Sequence, residues 1–287
     1  MAVENNTIMQ ADLARVRMVD FNLQFTGSLR KLIEALGVTR KIAVQEGAAL
    51  KMLTVTGTLE SGAVAEGDLI PLSKYETVET PVGEVKLNKW RKATTAEAIL
   101  KGGYDQAVGA TTDKMVKDIQ KTIRTGLFGF MATGSGTATG SGLQAALANG
   151  WGKLSVLFED DAVESVYFLN PMDVADYLGT AQVTMQTAFG MNYIENFLGL
   201  GTVFLNSSVP QGKYYATAKD NIVMYYVNVG AGDIQSAFGL STDETGYIGI
   251  NEYADKDTAR VMDLVMSGVT FFPERKDGIV VGTIAGG

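Results

Sequence analysis

The stretch that most constrains this chain is TLESGAVAEGDLIPLSKYETVETPV, residues 58–82. It carries glycine, proline and acidic residues but no sustained apolar period, so nothing in it marks a core-facing helix or a half-buried strand. Before it, Leu53 and Val55 alternate with Thr54 and Thr56, a strand-like period of two that Gly57 closes. After it, a second strand candidate spans Gly83 to Thr94. A structureless linker of that length inside a compact domain is unusual, so the segment reads as a protruding two-stranded arm. An isolated hairpin is marginally stable in water. The arm therefore needs a neighbour to lie on.

With 287 residues, 46% of them hydrophobic and 20% charged, the remainder can bury a sizeable core as one large or two intimate domains. No apolar run is long enough to cross a bilayer, and the opening MAVENNTIMQADLARVRMVD lacks the basic-then-apolar layout of a secretory signal. A cytoplasmic setting and no membrane partner are the expectation. The chain has no cysteine and no histidine. That removes disulfides, thiolate nucleophiles, serine-histidine triads and histidine-ligated zinc together. An enzyme built on this chain has only carboxylates, lysine, tyrosine or an oxygen-liganded metal to work with. The net charge of −8 and a pI near 4.7 also leave it without the bulk positive field that clamps nucleic acid.

The first segment is polar to about Asp20, after which Phe25, Leu29, Leu32, Ile33 and Leu36 recur at helical spacing and Gly37 stands as a stop. An extended arm leading into a short amphipathic helix fits this, and so does a frayed terminus ahead of an ordinary core helix. Beyond Gly102 and Gly103, Met115, Ile119, Ile123, Leu127 and Met131 fall at every fourth position. This spacing predicts a long helix from near Tyr104 to Met131, weakened at Gly109. GSGTATGSG, residues 134–142, reads as a passage between subdomains; it lacks the lysine of a phosphate-binding loop. Then follow a buried strand over Ser165 to Leu169, a helix capped by Asn170 and Pro171 and ending at Gly179, and a short helix around Met191 to Leu198. Strands are expected at Thr202 to Leu205 and Ile222 to Val229, joined by the turn-rich SSVPQGKYY. The last quarter predicts strands at Tyr247 to Tyr253, Ala259 to Phe272 with a bend at Gly268, and Ile279 to Ile284.

The polar clusters have plain structural explanations. Glu159, Asp160, Asp161 and Glu164 lack the spacing of a calcium loop and read as a solvated turn. Asp243 and Glu244 are turn neighbours seldom aimed at one substrate. Arg275, Lys276 and Asp277 read as a hairpin connection. Asn5-Asn6-Thr7 and Asn206-Ser207-Ser208 match the glycosylation pattern by chance. No catalytic, cofactor-binding or metal-binding residue is assigned.

In order, an arm, a two-stranded loop, a long helix, an α+β middle and a strand-rich return resemble the Hong Kong 97-type major capsid proteins of tailed bacteriophages. The resemblance covers nearly the whole chain and is carried by FLNPMDVADYL at 168–178, SSVPQGKYYATAKDNIVMYY at 207–226 and FFPERKDGIVVGTI at 271–284. It implies an α+β Hong Kong 97-like fold: an N-terminal arm over 1–44, an extended loop over 45–101, and a peripheral domain with a spine helix over 102–134. An axial domain over 135–230, a peripheral return over 231–276 and a tail over 277–287 complete it. It further implies a virion capsid protein, assembled in the bacterial host cytoplasm from pentamers and hexamers, enclosing double-stranded DNA without sequence-specific binding. A separate scaffolding protein and a portal are the expected partners. Some relatives carry a cleaved scaffolding domain, whereas this chain starts almost at the arm. Some cross-link through lysine and asparagine; Lys51 and Lys74 lie in the loop, but no acceptor is matched to them.

An encapsulin-like nanocompartment shares the fold and length. From another class, a carboxylate or metal-dependent hydrolase would require Asp160, Asp161 and Asp243 to converge in one pocket, and a tail-tube protein fits the long central helix poorly.

Overall fold

The computed structural model describes residues 10–158, 164–180 and 184–285. It opens on helix α1 (Gln10–Leu36), followed by the short strand β1 (Lys41–Ala43). Phe21, Phe25, Leu29, Leu32 and Leu36, three or four residues apart, are all buried in the main core, and each such side chain contributes about 1.5–3 kcal/mol when fully buried. The segment before Asp20, expected to be extended, is helical from Gln10. Its polar residues gave no period to read. Gly37 ends the helix with φ +68°, the left-handed turn that glycine adopts without strain.

Strands β2 (Ala49–Thr58) and β3 (Lys74–Glu84) pair antiparallel into an isolated ribbon. The ribbon's second strand is thus 74–84 and not 83–94, which is shared between the end of β3 and a separate strand, β4 (Asn88–Thr95). A register shift at Leu50/Lys51 marks a bulge near the ribbon's root. After β4 come α2 (Ala96–Gly102), a π-helical turn over Asp105–Gly109, and α3 (Ala110–Met131). The long helix therefore changes pitch at Gly109, the weak point expected from sequence.

The glycine-rich passage at 134–142 is a correction: it forms β5 (Gly136–Ser141), hydrogen-bonded parallel to the last strand. It leads into α4 (Gly142–Leu157), then β6 (Ser165–Leu169), α5 (Pro171–Thr180) and β7 (Gln186–Ala188). Met191 to Leu198, expected to be helical, is instead strand β8 (Met191–Phe197). Strands β9 (Gly201–Leu205) and β10 (Lys213–Ala218) follow, so the last third of the segment read as a turn lies inside a sheet. Then come β11 (Ile222–Tyr226), α6 (Asp233–Phe238), β12 (Ser241–Thr242), β13 (Ile248–Asp255), β14 (Arg260–Ser267), β15 (Thr270–Pro273) and β16 (Ile279–Ala285). The chain does break at Gly268, where it leaves one sheet for another. Residues 274–278 join strands of two different sheets and are not a hairpin turn.

A mixed seven-stranded sheet runs β5-β16-β10-β6-β9-β8-β7, an antiparallel sheet runs β12-β13-β14-β4, and a three-stranded sheet runs β1-β11-β15. Strand β6 lies inside the first of these and is buried at every residue. Its Val166 and Phe168 join the core containing α1 and α3, while Tyr167 and Leu169 join a second core under α4 and α5. Burial on both faces explains the unbroken apolar run SVYFL.

Two glycines are required by close approach. A Cβ at Gly140 would lie 2.3 Å from the Ala146 backbone nitrogen, and one at Gly282 would lie 2.0 Å from the Tyr214 ring. Tyr214 is fully buried and donates to the Ala146 carbonyl at 2.5 Å, so its ring has little freedom to retreat. Gly282→Ala is accordingly expected to cost about 3 kcal/mol, read as a lower urea midpoint; an unchanged midpoint would mean that the ring moves aside.

Candidate assembly surfaces

The ribbon β2–β3 divides into a stitched root and a bare tip. At the root, Leu50, Met52 and Val85 are buried in the main core. Leu53 N donates to the Glu274 carbonyl at 2.7 Å, and Gly47 and Val85 close the base through backbone bonds of 2.9 Å. Glu274 is itself held: its carboxylate pairs with Arg40 and accepts from Tyr225 OH at 2.7 Å. Burial, with the adjacent Glu274 carboxylate adding to it, pushes the Tyr225 hydroxyl up to about 12. Lys51 bridges the strands to Glu79 at 2.6 Å.

Beyond the root every residue of β3 is exposed, as are residues 57–73. Leu69 and Leu72 are each 93% exposed, with Leu59, Ile70 and Tyr75 largely so. Scattered single exposed apolar residues are ordinary on a protein surface, but a contiguous run marks an interaction site. A ribbon with both faces in water has no core of its own, and its β-pairing alone is marginal.

Among the described residues, the sequence candidates for chemistry do not gather. Asp243 Oδ1 accepts from Thr245 N at 3.1 Å, Thr245 Oγ1 at 2.7 Å and Gly246 N at 3.2 Å, so it builds a turn. Glu244 is exposed. Glu164 pairs with Lys219 at 2.5 Å, and that hydrogen bond and charge hold its carboxyl below the ordinary range. Glu159, Asp160 and Asp161, and the Asn5-Asn6-Thr7 triplet, lie outside the described residues. Asn206 Oδ1 accepts from Ser208 N at 2.8 Å, closing a turn. Arg275 pairs with Asp277 at 2.8 Å and lies over the Phe158 ring. Lys74 pairs with Glu76. Among the described residues no cluster of acids is arranged to hold a metal, and no helix is long and apolar enough to cross a membrane.

Neither a protein-family model nor a curated protein sequence matches the chain. Solved structures match at the level of fold. The capsid of an empty GTA particle aligns over 99% of this chain and 94% of its own, with a TM-score of 0.53 and 9% identity. The mature capsid of bacteriophage PhiM1 aligns over 86% and 85%, with a TM-score of 0.53 and 8% identity. The SrpI encapsulin of Synechococcus elongatus PCC 7942 aligns over 88% and 86%, with a TM-score of 0.51 and 12% identity. The chain has the Hong Kong 97 capsid fold.

Within this Hong Kong 97 fold, the elements that carry the ribbon are locked by a polar network that sequence reasoning missed. Lys92 on β4 lies 2.8 Å from Asp263 Oδ2 on β14. It also donates to the Val108 carbonyl at 2.9 Å, to Thr111 Oγ1 at 2.9 Å and to Thr112 Oγ1 at 2.7 Å, tying the π-helical turn to the sheet. Neither Asp263 oxygen accepts a well-directed hydrogen bond. Burial therefore raises its carboxyl above the ordinary range, with Lys92 acting in opposition. Nearby, Arg17 on α1 pairs with Glu252 at 2.6 Å, and Tyr104 OH donates to the same carboxylate at 2.5 Å. The legible signal was Lys92 itself, a charge in the same alternating register as Trp90 and Thr94.

Proposed function

We propose that this chain is the major shell subunit of a tailed-phage head, a structural protein and not an enzyme. Copies of it join as pentamers and hexamers, close into an icosahedral capsid and enclose double-stranded DNA. The observation that carries this reading is the ribbon: a long, core-less hairpin with a rigid root and a run of bare apolar residues, which gains stability only by lying on another subunit. The Hong Kong 97 fold supports it, since the matched structures named above are shells.

In this reading residues 1–44 form the N-terminal arm, here largely the helix α1, and 45–101 the extended loop. Residues 102–134 and 231–276 form the peripheral domain around α3. Residues 135–230, with the tail at 277–287, form the axial domain that meets its copies at the capsomer centre. Many modest interfaces multiplied by symmetry suffice for closure. The acidic balance suits a container that holds DNA without clamping it. A separate scaffolding protein and a portal are its partners, the bacterial cytoplasm its place of assembly, and the virion its destination. The likeness to the SrpI encapsulin favours a second reading, a nanocompartment enclosing protein cargo.

Negative-stain electron microscopy and size-exclusion chromatography of the purified chain, with and without a co-expressed scaffold, test the proposal. Closed shells or rings of five and six subunits are expected; a monomer under every condition sinks it. Nuclease-protected DNA inside particles selects the phage reading, and a co-purified protein filling selects the nanocompartment.

A further inference from the structure

A cavity of about 420 Å³ opens where the end of α1, the middle of α4 and the turn between β8 and β9 meet, a size within the roughly 300–1,000 Å³ of small-molecule sites. Glu34 comes to it from α1, Trp151 from α4, Glu195 from β8 and Thr202 from β9. Glu164 also lines it but is already neutralised by Lys219, 2.5 Å away. Glu34 and Glu195 are exposed and form no ion pair among the described residues. Burial, and after it the charges of Glu195 and Glu34, hold the Tyr193 hydroxyl above its ordinary range, so the two free carboxylates share one electrostatic neighbourhood.

Two observations independent of the charge point to an organic ligand. The indole of Trp151 is 44% exposed, and an aromatic face attracts ammonium groups carried on carbon chains. It offers nothing to a hard metal ion, which takes oxygen ligands, and among the described residues no group of acids is arranged to hold one. Thr202, in contrast, is only 6% exposed, and its hydroxyl makes no hydrogen bond to any described residue. A polar group so enclosed is ordinarily paired, and a ligand N–H would supply the donor it lacks. We propose that this cavity binds an aliphatic oligoamine, a flexible chain with two or more ammonium groups of the putrescine or spermidine class. One ammonium lies against Glu34 and another against Glu195, the methylene chain crosses Trp151, and an N–H donates to the Thr202 hydroxyl. The inference goes beyond the shell reading and is separate from it, since it asks only for the folded subunit.

The chain has two tryptophans, Trp90 and Trp151, so Trp90→Phe leaves the cavity's own indole as the reporter. Titration of that variant with putrescine at constant ionic strength is expected to change Trp151 emission saturably, and calorimetric titration of the unaltered chain to give the same midpoint. Glu34→Gln and Glu195→Gln are each expected to weaken binding about tenfold. Thr202→Val, which keeps the shape and removes the hydroxyl, is expected to weaken it severalfold, with thermal melts showing that each variant is folded. On the unaltered chain n-butylamine, which carries a single ammonium, is expected to bind about tenfold more weakly than putrescine. No saturable response to putrescine, equal binding of the monoamine and the diamine, an equal response to magnesium at matched ionic strength, or indifference to both glutamine substitutions overturns the proposal. Tighter binding of a dilysine peptide than of putrescine assigns the cavity to protein side chains and overturns the small-molecule reading.

Discussion

Replacing residues 55–77 by Asn-Gly is expected to leave a folded monomer and abolish shell formation. The cut falls in register, because Thr54 pairs with Val78, and Asn-Gly closes a two-residue hairpin. Everything that fixes the root is retained: Leu50, Met52 and Val85 in the core, and the bond from Leu53 to Glu274. The residues removed are exposed or half-exposed, so circular dichroism and thermal melting of the subunit should change little. Light scattering and microscopy should show no closed particles under conditions that assemble the unmodified chain. Shells of normal yield would show that the ribbon is dispensable, and the proposed role would lose its main support.

The trimmed monomer is also where the second large effect is best read, free of stabilisation by neighbours. Lys92→Met removes the cation that lies 2.8 Å from the Asp263 carboxylate, which is only 2% exposed. Breaking a buried pair from one side costs about 3–5 kcal/mol, and the bonds to Val108, Thr111 and Thr112 are lost with it. Asp263→Leu added to Lys92→Met is expected to recover much of the loss, because the carboxylate left without its cation is then gone as well. The pH dependence follows from the raised Asp263 carboxyl. A group that holds its proton more tightly when folded favours the folded state at low pH and loses that contribution as pH rises through the folded-state value. Without Lys92 the carboxyl moves further in the same direction. The deficit of Lys92→Met, measured by urea denaturation, should therefore be largest at the alkaline end of the range and shrink on acidification. A deficit that grows on acidification would mean that Asp263 is held ionised by some other group.

The sequence was legible where one face of an element meets a core. The stripe from Met115 to Met131 marked α3, and SVYFL marked β6, because burial wrote its period into the residues. It was illegible where burial is absent or out of phase. Strand β3 is exposed on both faces and so carries no alternation. Strand β8 imitates a helix because its register shifts between Ile194 and Phe197, with Asn196 at φ +49°; Met191, Tyr193, Ile194 and Phe197 are buried at spacings that mix periods of two and three. Strand β5 looked like a linker because Gly136 and Gly140 leave room for the backbones packed against them. The small helix α2 buries nothing, and α4 runs unbroken through Gly150, a helix-weakening residue that sits against the Tyr214 hydroxyl. The protruding arm was readable as a deficit, a long stretch with no core to face.

The bulge at Leu50/Lys51 falls inside the buried root, just ahead of Met52 and of the Leu53 bond to Glu274, after which the ribbon runs free. A bulge bends its strand and sharpens the local twist, and Pro81, paired opposite Lys51, donates no backbone hydrogen bond to stiffen the ladder there. The bend is thereby set within the root, and the Leu53 bond to Glu274 fixes the direction in which the free ribbon leaves the body. A closed surface tiled from one kind of subunit must turn more sharply around its five-membered rings than around its six-membered ones. If this chain tiles such a surface, as proposed, a ribbon whose direction is set at its root leaves the adjustment between the two curvatures to the free tip beyond Leu53 and not to the core.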